Sequence, residues 1–218
     1  MKSLHQYSKV ERDALYRVIA ERRDMRHFKP EPLQDGLLNK LLMVANQAPS
    51  VGLMQPWRFI RITDVNIKHS IKKLVEVERN ITADLLDDRK NEFLKLKVEG
   101  IIECAELIVV ALPEGREHHI FGRRTMPDMD LASVACAIQN MWLAARAEGI
   151  GLGWVSLFDP NELATLLKMP EQSRAVAILC IGHVEKFYEK PMLIEKNWIK
   201  PKQIEHFLFE NSWENNTG

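Results

Sequence analysis

The chain has 218 residues, 46% of them hydrophobic and 28% charged, the balance of a globular protein with enough apolar material for a sizeable core. Thirty basic and thirty acidic side chains cancel, which excludes bulk charge as a means of holding nucleic acid or an anionic membrane; any phosphate must be recognised locally. No run of about 18 apolar residues predicts a membrane span, and the opening residues lack the apolar stretch of a signal peptide.

In chain order, a first helix is expected from about Ser8 to Arg23. Ser8 and Glu11 form a capping box, and Val10, Ala14, Val18 and Ile19 recur at helical spacing toward a core. Arg22 and Arg23 then fall in its last turn, where cations complement the helix dipole. Arg26 and Asp24 lie where the chain leaves the helix. The run Glu21-Arg22-Arg23-Asp24-Met25-Arg26 thus sets a carboxylate among guanidinium groups whose planar forks suit phosphate oxygens. It reads as a phosphate-binding segment whose Asp24 reaches toward reacting atoms, or as a solvated helix end with a surface ion pair. Pro30 and Pro32 stop the helix. A second helix is predicted from Gln34 to Gln47, buried along Leu37, Leu38, Leu41, Leu42 and Ala45.

Ala48 to Trp57 is an ordered, proline-bounded loop. Its Ser50, Gln55 and Trp57 can meet a polar aromatic ligand, or Trp57 can simply plug the core. A strand follows over Arg58–Thr63. Residues 65–97 read as two or three charge-rich helices, interrupted near Asn80 or Asp87-Asp88, forming a surface layer or a helical lid over a site. Leu107–Leu112 is an apolar run that fits a strand buried on both faces. His118-His119 lacks further ligands at sensible spacing, so no metal site is expected. Met129–Glu148 is a long helix, apolar almost all round, suited to a core or a subunit interface and ended by Gly149.

Gly149-Ile150-Gly151-Leu152-Gly153-Trp154 resembles a dinucleotide loop in composition only. A Rossmann fingerprint follows a strand and opens a helix, whereas these glycines follow a helix and lead into a strand over Leu152–Leu157, with Ser156 near its end. They allow the backbone to approach something flat or to turn sharply. Asp159, Pro160 and Glu162 begin a short helix with a capping box. Ala175–Ile181 is another buried strand, and the tail from Phe187 is rich in aromatic and charged residues. Cys104, Cys136 and Cys180 are odd in number, far apart and set in apolar runs, so buried free thiols in a reducing, cytoplasmic setting are expected. The whole is read as one α+β domain.

Four stretches, ERRDMRHF, APSVGLMQPW, MDLASVACAIQNMWLAARAEGIGLGWVS and NWIKPKQIEHFLFE, resemble the flavin-dependent nitroreductase superfamily, and within it an oxygen-using branch that fragments its flavin. The resemblance spans nearly the whole chain. It implies a nitroreductase-like three-layer αβα sandwich with a mixed central sheet over residues 1–218, a possible lid at 65–97, and a tail at 187–218 packing on the core or on a partner subunit. It further implies a homodimer with flavin mononucleotide (FMN) at the subunit interface and no metal. The implied reaction consumes reduced FMN and dioxygen and yields 5,6-dimethylbenzimidazole, the lower ligand of vitamin B12, with erythrose 4-phosphate. A separate reductase would supply the reduced flavin. By the same resemblance, Arg22, Arg23, Met25 and Arg26 lie in the phosphate and ribityl segment and Ser50 is a flavin contact. Asp24 and Ser156 form the polar pair at the reacting ring, and Lys97 and Leu107 fall in further binding segments. Arginine neighbours favour the charged form of Asp24 and burial against a ring disfavours it; the sequence leaves that balance open. The tail departs from the pattern, since Trp198 is followed by Ile199, Lys200, Pro201 and Lys202 where the family carries arginine, which loses a bidentate fork. Two other functions share these motifs: a nicotinamide-dependent nitro or quinone reductase, and a non-catalytic flavin carrier.

Overall fold

The computed structural model describes residues 5–214. The chain divides into two compact units, one through Phe187 and one from Tyr188. The first is built on a four-stranded sheet: β1 (Arg58–Ile62), β2 (Glu106–Leu112), β3 (Gly151–Val155) and β4 (Arg174–Gly182), in the order β1-β2-β4-β3. All three pairings are antiparallel. Where a mixed sheet is expected, the parallel component among the described residues is one isolated bridge, Asp24 to Leu152.

Side chains alternate across the sheet, so its two faces carry two cores. On the first face Ile108, Val110, Leu179 and Ile181 pack against α2 (Leu37–Asn46) and α5 (Met129–Ala147). On the second, Leu107, Val109, Ile178 and Cys180 pack against α3 (Val65–Asp84) and α6 (Pro160–Leu166). This is the expected αβα layering. One bulge interrupts it: Val110 pairs with Ala177 but Ala111 pairs with Ala175, leaving Val176 as the extra residue.

Several helix ends follow the local chemistry. Asp159 accepts hydrogen bonds from the Asn161 and Glu162 amides at the start of α6. Gly149, at φ 73°, closes α5 as Ile150 N–H donates to the Ala145 carbonyl at 2.8 Å and Gly149 N–H to that of Arg146 at 3.1 Å, the paired bonds of a left-handed C-terminal cap. The predicted capping box at Ser8 and Glu11 is present.

Three expectations are corrected. The first helix, α1 (Lys9–Glu21), buries none of its residues, and Val10 and Ile19 are exposed; it lies on the outer side of α5 with its apolar stripe facing an open groove. It also ends one residue before Arg22, so neither Arg22 nor Arg23 is in its last turn. Cys104 and Cys180 are buried, but Cys136 is exposed on the outward side of α5. The 65–97 segment, by contrast, has the expected helices with a break at Asp87-Asp88: α3, a 3-10 turn at Asp87–Arg89 and the short α4 (Lys90–Leu94). Ile71 and Val75 of α3 are fully buried, so lifting α3 off the sheet costs about 1.5–3 kcal/mol for each of them.

The second unit, taken by itself, holds one helical turn, α7 (Met192–Glu195), and a 3-10 turn at Ile204–His206. Phe209 and Trp213 stack at 4.9 Å within it. Lys200 and Lys202 are exposed. No described helix is long and apolar enough to cross a membrane, and no described His, Cys, Asp and Glu side chains gather as a metal site.

Candidate active site

The arginine run lies against β3, and glycine is the reason it can. Beyond α1 the chain is extended, and Met25 N–H donates to the Leu152 carbonyl at 3.0 Å, beside the Asp24–Leu152 bridge. A Cβ at Gly153 would stand 2.1 Å from the Met25 carbonyl oxygen and 2.6 Å from Arg26 Nη1. A Cβ at Gly151 would strike Val184 and crowd Met25. The flat partner expected for these glycines is therefore the protein's own backbone.

Two residues further along β3, side chains replace backbone pairing. Asp24 Oδ1 accepts from Trp154 N–H at 2.9 Å and from Arg26 Nη1 at 2.6 Å, and Oδ2 accepts from Arg26 Nη2 at 2.7 Å. Arg26 Nη2 also donates to the Trp154 carbonyl at 2.7 Å. The bidentate pair thus satisfies both polar groups of one edge-strand residue, and its geometry is of the stronger, charge-assisted kind. Arg26 is nearly enclosed, while 44% of the Asp24 side chain stays open. Burial raises the Asp24 pKa above the usual carboxylate value, outweighing the Arg26 guanidinium, the Trp154 amide and the Arg22 charge. Of the two opposing effects that the sequence leaves open, burial is the larger, so proton affinity is raised in a group that a ligand can still reach.

The other two guanidinium groups differ. Arg23 folds back onto the Ala20 and Arg22 carbonyls at 2.7 and 2.8 Å, closing the end of α1. Arg22 lies 4.4 Å over the Trp142 ring, a cation–π placement that fixes it while leaving its N–H edge unengaged by any described residue. Trp142 Nε1 donates to the Arg23 carbonyl at 3.1 Å, so one indole of α5 positions both. Trp142 and Trp154 are the functional residues that sequence reasoning missed. Their only signal was an indole in a helix otherwise rich in alanine, and an indole directly after the glycines.

Ser156 is exposed just past the end of β3. It lines a cavity of about 470 Å³ with Leu131, Ala135, Trp154, Phe158 and Arg174 among others. Asp24 is bonded to Trp154 of β3, and Ser156 follows Trp154 by two residues along the chain.

Ser50 is elsewhere. Its hydroxyl accepts from Gln55 N–H at 3.0 Å and closes a tight loop in which Gly52, Leu53 and Gln55 all have positive φ. That loop is tied to α5 by Val51 N–H donating to Ser133 Oγ at 3.0 Å. Trp142 lies nine positions beyond Ser133 on α5, about 14 Å at 1.5 Å per residue, so one chain does not bring Ser50 to Asp24. Lys97 is also apart, bound to Glu103 at 2.6 Å. Leu107 is fully buried in the core and presents no side-chain surface to a ligand. Met25 is likewise enclosed, and its amide is already bonded to Leu152.

The arrangement offers an open guanidinium edge for an anion, a carboxyl of raised proton affinity, a hydroxyl, and a largely apolar cavity. Comparison with known proteins shows the family. Residues 19–183 match the model of the nitroreductase family. The chain is 38% identical over 191 residues to the 5,6-dimethylbenzimidazole synthase of Rhodospirillum rubrum, covering 86% of this chain and 90% of that protein. A BluB-like flavoprotein from Clostridium difficile 630 superposes with a TM-score of 0.69 at 19% identity, over 91% of this chain and 99% of the other. An iodotyrosine deiodinase bound to FMN and 3-iodo-L-tyrosine does so at 0.65 and 24% identity, over 81% and 92%. With a family model spanning most of the chain and that fold beneath the site, the chain belongs to the nitroreductase family.

Proposed function

We propose that this protein is a 5,6-dimethylbenzimidazole synthase, taking reduced FMN and dioxygen to 5,6-dimethylbenzimidazole and erythrose 4-phosphate, with the reduced flavin made by a separate reductase. The observation that carries the reading is the Asp24 carboxyl, clamped by Arg26 and Trp154 yet raised in proton affinity and open on one side. A reaction that dismantles a ring system must move protons, and a carboxyl with raised proton affinity in a positioned setting suits that work. The 38% identity to a protein of that name supports the same choice.

The residues present fit FMN. Arg22 has a free N–H edge for phosphate oxygens, and the cavity at Ser156 has apolar walls for a planar ring. Reduced flavin supplies the electrons and the reactivity toward oxygen. The chain's part is to offer Asp24 for proton transfer, to supply the Ser156 hydroxyl to the cavity, and to keep water from the ring with Trp154, Phe158 and Leu131.

We also propose that two copies complete the site. Ser50 sits too far along α5 to meet Asp24 of its own chain. The groove of about 480 Å³ between α1, α2 and α5, lined by Ala14, Leu15, Val18, Val44, Leu143 and Ala144, is the uncovered apolar face that a second copy would cover.

The test is to mix the protein with reduced FMN in air and assay for 5,6-dimethylbenzimidazole by mass spectrometry. Product is expected from wild type and not from Asp24→Asn, which should still bind FMN. Oxidised flavin and peroxide as the sole products, or full activity in Asp24→Asn, would refute the assignment. Rapid saturable reduction of bound flavin by NADPH would favour a nicotinamide-dependent reductase instead.

A further inference from the structure

The bulge in β4 decides which side of the sheet Arg174 serves. Antiparallel partners share a face. Arg174 is opposite Leu112, whose side chain belongs to the first-face core. Without the extra residue at Val176, Leu112 would face Ala175 and Arg174 would turn to the second face, away from Ser156. With it, Ala175 joins the second-face core, Val176 packs on the first, and Arg174 lines the cavity of Trp154 and Ser156. Bulges of this kind re-aim side chains beside functional sites.

Arg174 is the one charged residue in that lining. Its guanidinium has no ion-pair or hydrogen-bond partner among the described residues, and no carboxylate lines the cavity to neutralise it. The remaining walls are apolar apart from the Ser156 hydroxyl. The cavity thus joins largely apolar walls to one exposed guanidinium, which suits a flat body carrying a negative charge.

We infer that Arg174 is a specificity-determining residue that makes the site select the reduced, anionic ring of FMN over the oxidised, neutral one. This rests on the flavin reading given above. Reduced flavin gives up a ring proton near neutral pH and becomes an anion, whereas the oxidised ring is uncharged. The phosphate is common to both forms and cancels from the ratio of their affinities. A guanidinium beside the ring contributes more to the anion than to the neutral ring, because a hydrogen bond between opposite charges is the stronger.

The experiment is anaerobic titration of wild type, Arg174→Gln and Arg174→Lys with oxidised FMN and with dithionite-reduced FMN, reading the ratio of the two Kd values. Wild type is expected to prefer reduced FMN. Arg174→Gln is expected to lose about tenfold of that preference, equivalent to about 30 mV in the two-electron potential of the bound flavin. Arg174→Lys, which keeps the charge, is expected to retain most of it. Thermal unfolding of both variants at the wild-type temperature establishes that the sheet is intact. A ratio unchanged in Arg174→Gln, an equal weakening of both forms, or an equal loss in the lysine and glutamine variants overturns the inference. Wild-type protein that binds neither form refutes the flavin assignment itself, a result distinct from an unchanged ratio.

Discussion

Replacing Gly153 with alanine isolates the contact on which the site is built. The added methyl would lie 2.1 Å from the Met25 carbonyl oxygen and 2.6 Å from Arg26 Nη1. The first is a backbone atom that cannot swing aside, so the Asp24–Arg26 segment must lift from β3. Doing so strains or breaks Met25 N–H to Leu152, Trp154 N–H to Asp24, and Arg26 to the Trp154 carbonyl. At about 1 kcal/mol for each hydrogen bond, or 1–3 kcal/mol treated as overpacking, the cost is about 3 kcal/mol. For a chain of this length that lowers Tm by roughly 6–12 °C, readable by scanning fluorimetry. Gly149→Ala is the control: Gly149 has φ 73° but nothing within 4 Å of its added Cβ, so only left-handed strain of about 1 kcal/mol applies. A Gly153→Ala protein as stable as wild type, or no less stable than Gly149→Ala, would show that the arginine run does not pack on β3 as described.

Other outcomes follow from the same structure. Asp130 is buried and accepts from Arg116 at 2.9 Å and Arg123 at 3.0 Å; Asp130→Ala strands two cations, costs about 3–5 kcal/mol, and should lower Tm by roughly 10 °C, while Asp13→Ala, in an exposed helix pair, should barely move it. Because the folded-state pKa of Asp24 is raised above 3.8, its ionised form is disfavoured on folding. The stability of wild type relative to Asp24→Asn should therefore be greatest below that value and decline as pH rises through the raised pKa; a gap in Tm that is flat or widens over the same range counts against the assignment. Leu15→Glu places a charge in the groove of α1 and α5 and should convert a dimer to monomers in analytical ultracentrifugation with loss of FMN binding; an unchanged dimer would move the interface elsewhere.

Much of the scaffold was legible because its signals are local. Apolar runs marked β2 and β4, Asp159 and Pro160 marked the start of α6, and Gly149 marked the end of α5. What escaped depends on which surface meets which. The apolar stripe of α1 announces a face but not its cover, and within one chain that face is open. The bulge at Val176 leaves no trace in a strand that is apolar on both sides. At the site, the acid among arginines and the serine beyond the glycines were visible as residue types. That Arg26 is Asp24's clamp, Arg23 a helix-end cap and Arg22 the open cation was not, because each role is set by a partner more than a hundred residues away or by the direction in which the chain leaves α1. Lys97 and Leu107 rested on similarity alone, and the structure ties them to Glu103 and to the core.

The indole of Trp142 carries Arg22 on its face, holds the Arg23 carbonyl by its N–H, and has the Trp154 ring 6.3 Å away. It is thereby an optical gauge already installed beside the anion-facing cation. Whatever draws Arg22 off that ring changes the emission of a chromophore rigidly seated in the central helix, so occupancy can be followed without any label, and in protein variants that turn nothing over.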